Sequence, residues 1–170
     1  MLFVNRCSHY GSNHAAPIEG PQIGGYVSKV HVFIQDLAKE ETEALIFLLE
    51  AAGVPLDEIV LVEEVKAPTD ECQDDVFVFL LTPETIASAA AQAAISQVPN
   101  GGRRAICVWP EDASDELPPP PAAFKFSYST ISWNAARLRA AIADDDTTCF
   151  EKPSGEPIPP PETERNECDE

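Results

Sequence analysis

The chain has no apolar run close to the roughly 18–20 residues that cross a membrane. Its opening, MLFVNRCSHYGSNH, has a very short apolar patch with no signal-peptide core after it. Both absences predict a cytoplasmic location and no membrane association. Basic side chains are scarce, with 11 Lys and Arg against 29 Asp and Glu, for a net charge of −18. That balance argues against nucleic acid held by a general electrostatic footprint. It fits plain solubility, mimicry of a polyanion, or a basic protein partner. The five cysteines, Cys7, Cys72, Cys107, Cys149 and Cys168, are odd in number and include no C-x-x-C pair. Neither a disulfide framework nor a zinc site follows from them. Cys107 lies in an apolar run and reads as a small core residue. A Cys149–Cys168 pair has no support in a reducing compartment. Cys7, His9 and His14 lack a fourth ligand at a known spacing, so no metal is expected. There is no internal repeat.

What is present divides into three parts. Residues 1–26 are loop formers with one Arg and one Glu, an arm free to lie across a partner or a pocket. Residues 27–143 read as one α/β domain. Residues 144–170 form an acidic, Pro-rich tail with ten acids against two bases. It cannot bury enough surface to fold alone, although Phe150 and Ile158 offer anchors for an extended arm.

The middle part is organised around Asp74–Pro110. The run Val76–Leu81 is apolar without alternation, which predicts a strand buried on both faces. An Ala-rich helix, the pair Gly101–Gly102 and a second apolar run, Ala105–Trp109, follow. Together they fit one βαβ crossover. Ahead of it, VSKVHVFI (residues 27–34) predicts a first strand, with His31 a core or edge residue. Ala38–Ala52 predicts a helix with Ala44, Leu45, Leu48 and Leu49 inward, acids at its start and Gly53 at its end. EIVLVEEV (residues 58–65) predicts a second strand. Pro118–Pro121 reads as a stiff spacer that excludes helix and sheet. Phe124–Thr130 alternates like a short strand. Ser132 reads as the N-cap of a last helix, Trp133–Ala143, with Arg137 and Arg139 facing solvent unless one reaches an anionic group. The expected fold is α/β, a mostly parallel sheet of about five strands between helices on both faces.

Ligands of such sheets sit beyond the carboxyl ends of the strands. That places Gln35 and Asp36 after the first strand. Thr82, Pro83, Glu84 and Thr85 form one rim, and Pro110, Glu111 and Asp112 the other. Gly101–Gly102 with Arg103 and Arg104 could contact phosphate, but they lie at the opposite end and read rather as a helix-to-strand turn with solvated arginines.

The stretch VHVFI (residues 30–34), followed by Lys39-Glu40-Glu41 and a helix ending at Gly53, resembles the opening of TIR domains. The central strand, then Thr82-Pro83-Glu84, Ser88 and an Ala-rich helix, resembles their middle. It is also similar to nucleoside 2-deoxyribosyltransferase-like proteins of the same three-layer, flavodoxin-like layout. The likeness spans about residues 29–143. It implies N-glycosidic bond cleavage in NAD or a nucleoside, carried by a glutamate on the helix after the central strand. Here that helix, Ile86–Ile95, contains no acid, and Gln92 stands closest to the glutamate position. Glutamine cannot act as nucleophile or base.

The first expectation is therefore a non-catalytic interaction module, an immunity or adaptor protein of a bacterial defence or toxin system that binds a basic partner. The second is an enzyme on NAD or a nucleoside using Glu84 or Asp36, with Gln35, Thr82, Pro83, Ser88 and Glu111 around the ligand. The third is a nucleotide-sensing domain. Ser88 has no G-x-S-x-G elbow to make it a nucleophile. A homo-oligomer is compatible with each.

Overall fold

The central run sits where its composition demands. In the computed structural model, which describes residues 29–66, 75–99, 102–144 and 149–159, β3 (Val76–Leu80) is buried along its whole length. Its side chains alternate between two cores. Val76, Val78 and Leu80 join one cluster, and Phe77 and Phe79 the other. Around it lie β1 (Val30–Phe33), β2 (Ile59–Val62), β4 (Arg104–Val108) and β5 (Ser129–Ile131), all parallel, in the order β2-β1-β3-β4-β5. This is the flavodoxin-like order, which places its switch point between β1 and β3.

Helices α1 (Lys39–Ala51) and α5 (Ala135–Ala143) cover the first face through Leu45, Leu48, Leu49, Leu138 and Ile142. Helices α3 (Ala89–Gln97) and α4 (Pro121–Phe126) cover the second through Ala91, Ala94, Ile95, Ala122 and Ala123. A short α2 (Pro83–Ala87) precedes α3. No helix among the described residues links β2 to β3, and none of those helices is long and apolar enough to cross a membrane.

Several local expectations change. Ala44 faces outward, and Leu45, Leu48 and Leu49 alone make the buried stripe of α1. The first two strands are shorter than their sequence runs. The single Ala-rich helix is two helices, because Ser88 leaves the helical region (φ −78°, ψ 119°) and caps α3 by accepting the Ala91 N–H at 3.2 Å. The proline run does not exclude helix. Pro120 occupies the N-cap and Pro121 the first position of α4, where a missing N–H costs nothing. The alternation from Phe124 is therefore partly helical, and β5 begins only at Ser129. Asn134, not Ser132, caps α5, accepting from the N–H groups of Ala136 and Arg137. Gly53 does end α1, at φ +92°, a backbone region that L side chains rarely adopt.

The arginines expected in solvent are structural. Arg103 is buried and donates to the carbonyls of Val98, Gln97 and Lys66, closing the end of α3. Arg104 points to the other face and donates to Ala141 and Ile142 at the end of α5. Arg139 donates to the Ala52 carbonyl at 2.7 Å, joining α5 to the end of α1. Successive strand residues face opposite sides, so Arg103 and Arg104 hold one helix terminus on each layer. Cations at helix C-termini also suit the dipole.

Part of the tail is ordered against the sheet. Residues 149–151 run beside β5. Thr130 N donates to Cys149 O at 2.9 Å, and Glu151 N to Thr130 O at 2.8 Å. Of the two expected anchors, Phe150 stacks on Phe124, and Ile158 is half-buried and donates its N–H to the Phe150 carbonyl at 2.6 Å. The readings placed on residues 1–26, on Cys72 and on Cys168 fall outside the described residues.

Candidate functional site

The carboxyl ends of β3 and β4 open into a cleft of about 560 Å³. Thr82 and Pro83 line it after β3, and Pro110, Glu111 and Asp112 after β4. Glu40, Glu41 and Ala44 enter from the first turns of α1, and Trp133 closes the far side. Among the described lining side chains four are carboxylates, and none is Lys, Arg or His. An aromatic face among carboxylates suits a cationic group, since ring quadrupole and charges act in the same direction.

Each side chain has a local reason for its place. Thr82 is the N-cap of α2. Its hydroxyl accepts the Thr85 N–H at 3.2 Å and bonds the Thr85 hydroxyl at 3.0 Å. Glu41 reaches back to the Ala38 N–H at 2.7 Å, satisfying one unpaired donor at the start of α1. Glu111 and Asp112 sit in the exposed turn after β4.

The remaining candidates do not converge on this cleft. Glu84 is exposed in the first turn of α2 and is not part of the cleft wall. Gln35 lines a neighbouring groove of about 650 Å³ with Leu61, Glu63 and Glu64. Asp36 is half-buried, and its Oδ2 is enclosed without a hydrogen-bond partner among the described residues. Ser88 is a cap. Gln92 is half-buried, and its Nε2 donates to the Ile86 carbonyl at 3.2 Å across the break between α2 and α3. A glutamate there would set a carboxylate against that carbonyl. The amide is therefore chosen by the helix break itself.

Sequence reasoning missed Glu40, Glu41, Ala44 and Trp133 as wall residues. The two glutamates were legible only as dipole partners of α1, and Trp133 only as the start of the last helix. It also missed Glu151. This tail glutamate is 2% exposed. Its Oε2 accepts from Ser132 N at 3.0 Å and Ser132 Oγ at 2.9 Å, and its Oε1 pairs with Arg137 Nε at 3.2 Å. No residue near Glu151 in the sequence signals that role.

His31 and Asp75 pair at 2.9 Å at the opposite, amino end of the sheet, with His31 stacked on Phe77. Among the described residues no group of three or more His, Cys, Asp or Glu could hold a metal ion.

The fold and cleft define a flavodoxin-like α/β domain with an acidic carboxyl edge. No protein-family model, no curated protein and no solved structure matches this chain.

Proposed function

We propose that this chain is a non-catalytic, TIR-like interaction module that receives a basic segment of a partner protein at its acidic carboxyl edge. A toxin-neutralising or adaptor role in a bacterial defence system is the setting the resemblance suggests. The observation that carries the reading is the cleft wall itself, with Glu40, Glu41, Glu111 and Asp112 around Trp133 and no cation among its described residues. Charge of one sign in a concave wall raises encounter rates with oppositely charged partners. Gln92 adds support, since its amide is held by a backbone carbonyl rather than presented to a ligand.

The same wall argues against NAD. A pyrophosphate needs donors or cations, and these carboxylates would repel it. A neutral nucleoside escapes that objection. The enclosed, unpartnered Oδ2 of Asp36 at the end of β1 favours a second reading, an enzyme on a nucleoside in which Asp36 acts as base or orients a ribose hydroxyl.

One set of measurements separates the two. A labelled Arg- and Lys-rich peptide is titrated against the protein and against Glu111→Lys with Asp112→Lys, while free base is assayed from a panel of nucleosides. Peptide binding that weakens about tenfold or more in the double variant supports the module. Base release by the unaltered protein, abolished in Asp36→Asn, replaces it with the enzyme.

A further inference from the structure

Among the described residues, one long side of the sheet has no neighbour. β2 is an edge strand, and no described element pairs with its outer side. An edge strand presents unpaired N–H and C=O groups to any extended chain that meets it. Among the described residues, four large apolar side chains are exposed. Two of them lie on this side: Leu61 of β2 (46%) and Leu56 in the 3-10 turn before it (59%). Leu61 pairs in register with Val32 of β1, so it points to the α1 face. Four acids bracket the strand, Asp57 and Glu58 before it and Glu63 and Glu64 after it. Beyond Leu61, Glu63 and Glu64 line the groove of about 650 Å³ that Gln35 also borders, with Lys66 as a basic residue of its wall.

This charge arrangement selects the occupant. A second copy pairing antiparallel about the middle of β2 would set Glu58 against Glu63 and Asp57 against Glu64. Pairing parallel in register would set each acid against itself. Like charges directly opposite destabilise a strand pair, so the edge rejects its own copy. A strand with a short apolar centre and basic residues at both ends meets no such penalty, whichever direction it runs.

We propose that the outer edge of β2 is a docking strip for such a basic-flanked strand of a partner protein, added to the sheet through main-chain hydrogen bonds. Alternate side chains of the strand would cover Leu61, and its Lys or Arg termini would lie on the bracketing acids. The inference rests on the reading of this chain as a module for a basic partner and names a second surface for it.

The test uses the full chain and a labelled synthetic peptide, Lys-Lys-Val-Thr-Val-Thr-Lys-Lys. Two controls accompany it: one with Glu for every Lys, and one with Pro at both central positions and the same charge. The unaltered protein is expected to bind the first peptide at least tenfold more tightly than either control. Leu61→Lys and, separately, Glu63→Lys with Glu64→Lys are each expected to cost about tenfold. These are exposed positions, and circular dichroism of each variant checks that the fold is kept. Equal binding of the Pro-interrupted peptide would overturn the proposal, because charge alone would then account for the contact. A concentration-dependent dimer broken by Leu61→Lys would overturn it too, in favour of a second copy. If affinity falls in Glu111→Lys with Asp112→Lys but not in the edge variants, the peptide sits in the cleft. The edge proposal then fails while the module reading stands. If no basic peptide binds the unaltered protein, both fail.

Discussion

The two edges of the sheet are finished in opposite ways. Outside β5, residues 149–151 return from the tail and pair with Thr130, and Glu151 anchors that return from within the protein. Its carbonyl accepts the Trp109 indole N–H at 2.8 Å, while its carboxylate takes Ser132 and Arg137. Outside β2 nothing described covers the strand, and the side chains at that edge are only partly buried. A buried charge is tolerated when every oxygen is paired, and the β5 edge meets that condition. Acids flanking the β2 edge oppose self-pairing without covering it. The first edge is built for stability, and the second has no described element beyond it.

The largest expected effect tests the sealed edge. Trp109 is fully buried and touches both the second core and the returning tail. Trp109→Ala should lose about 3–5 kcal/mol of stability, from lost burial, the cavity left behind and an unpaired Glu151 carbonyl. Urea denaturation with unchanged m-value checks it. A loss below about 1 kcal/mol would mean that this edge is no more consolidated than the other.

Next comes the interior beneath the sealed edge. Burial pushes the Cys107 thiol up to about 12, with a hydrogen bond from Ser127 pulling weakly the other way. The unfolded thiol titrates near the ordinary cysteine value of 9.0. Between those two values the unfolded state holds fewer protons than the folded state, so stability falls as pH rises. Below pH 9 the contribution is fully present. Cys107→Ala should remove one proton from that dependence, making the decline above pH 9 shallower by about 1.4 kcal/mol per pH unit. Denaturation midpoints across pH 8.5–11 read the slope directly. Equal slopes would show that water reaches Cys107 past β5.

Glu151→Ala should cost about 1–3 kcal/mol, because Ser132 N–H and Arg137 lose a carboxylate inside the protein. Hydrogen exchange distinguishes this from a general loosening. The amides of Thr130 and Glu151, which tie the tail to β5, should exchange much faster, while those of β1 and β3 keep their protection. Uniform acceleration would make Glu151 part of the global core rather than a local latch.

The same contrast explains what could be read from the sequence. The central strand was legible because burial on both faces removes alternation, as Val76–Leu81 shows. Helix α1 was legible because Leu45, Leu48 and Leu49 recur at helical spacing and Gly53 supplies the αL stop. The β5 side was misread because its elements are short and its contacts distant in sequence. Pro121 opening a six-residue helix looks, in sequence, like Pro in a spacer. Glu151 carries no local signal, since its partners Ser132 and Arg137 lie well before it in the chain, around the start of α5. Of the candidate site, the strand-end residues Thr82, Pro83, Glu111 and Asp112 were legible from the rule that ligands gather there. Glu40, Glu41 and Trp133 join them only through the packing of α1 and α5 on one face. Gln92 was read against a family glutamate, whereas its amide serves a helix break that the Ala-rich run concealed.

The smallest effect is the sharpest check on the open edge. Leu61→Thr keeps β-propensity and removes an apolar side chain that is already 46% exposed. Little area returns to water on unfolding, so stability should change by no more than about 0.5 kcal/mol. Phe47→Ser, on the outer side of α1, should behave similarly apart from a small helix-propensity cost of a few tenths of a kcal/mol. Side chains that hold a fold together cannot be removed this cheaply. If thermal and urea melts of both variants overlay the parent, Leu61 and Phe47 are free of any structural duty. A loss above about 1.5 kcal/mol for Leu61→Thr would show that this side of the sheet is covered after all, and the two edges would no longer differ in kind.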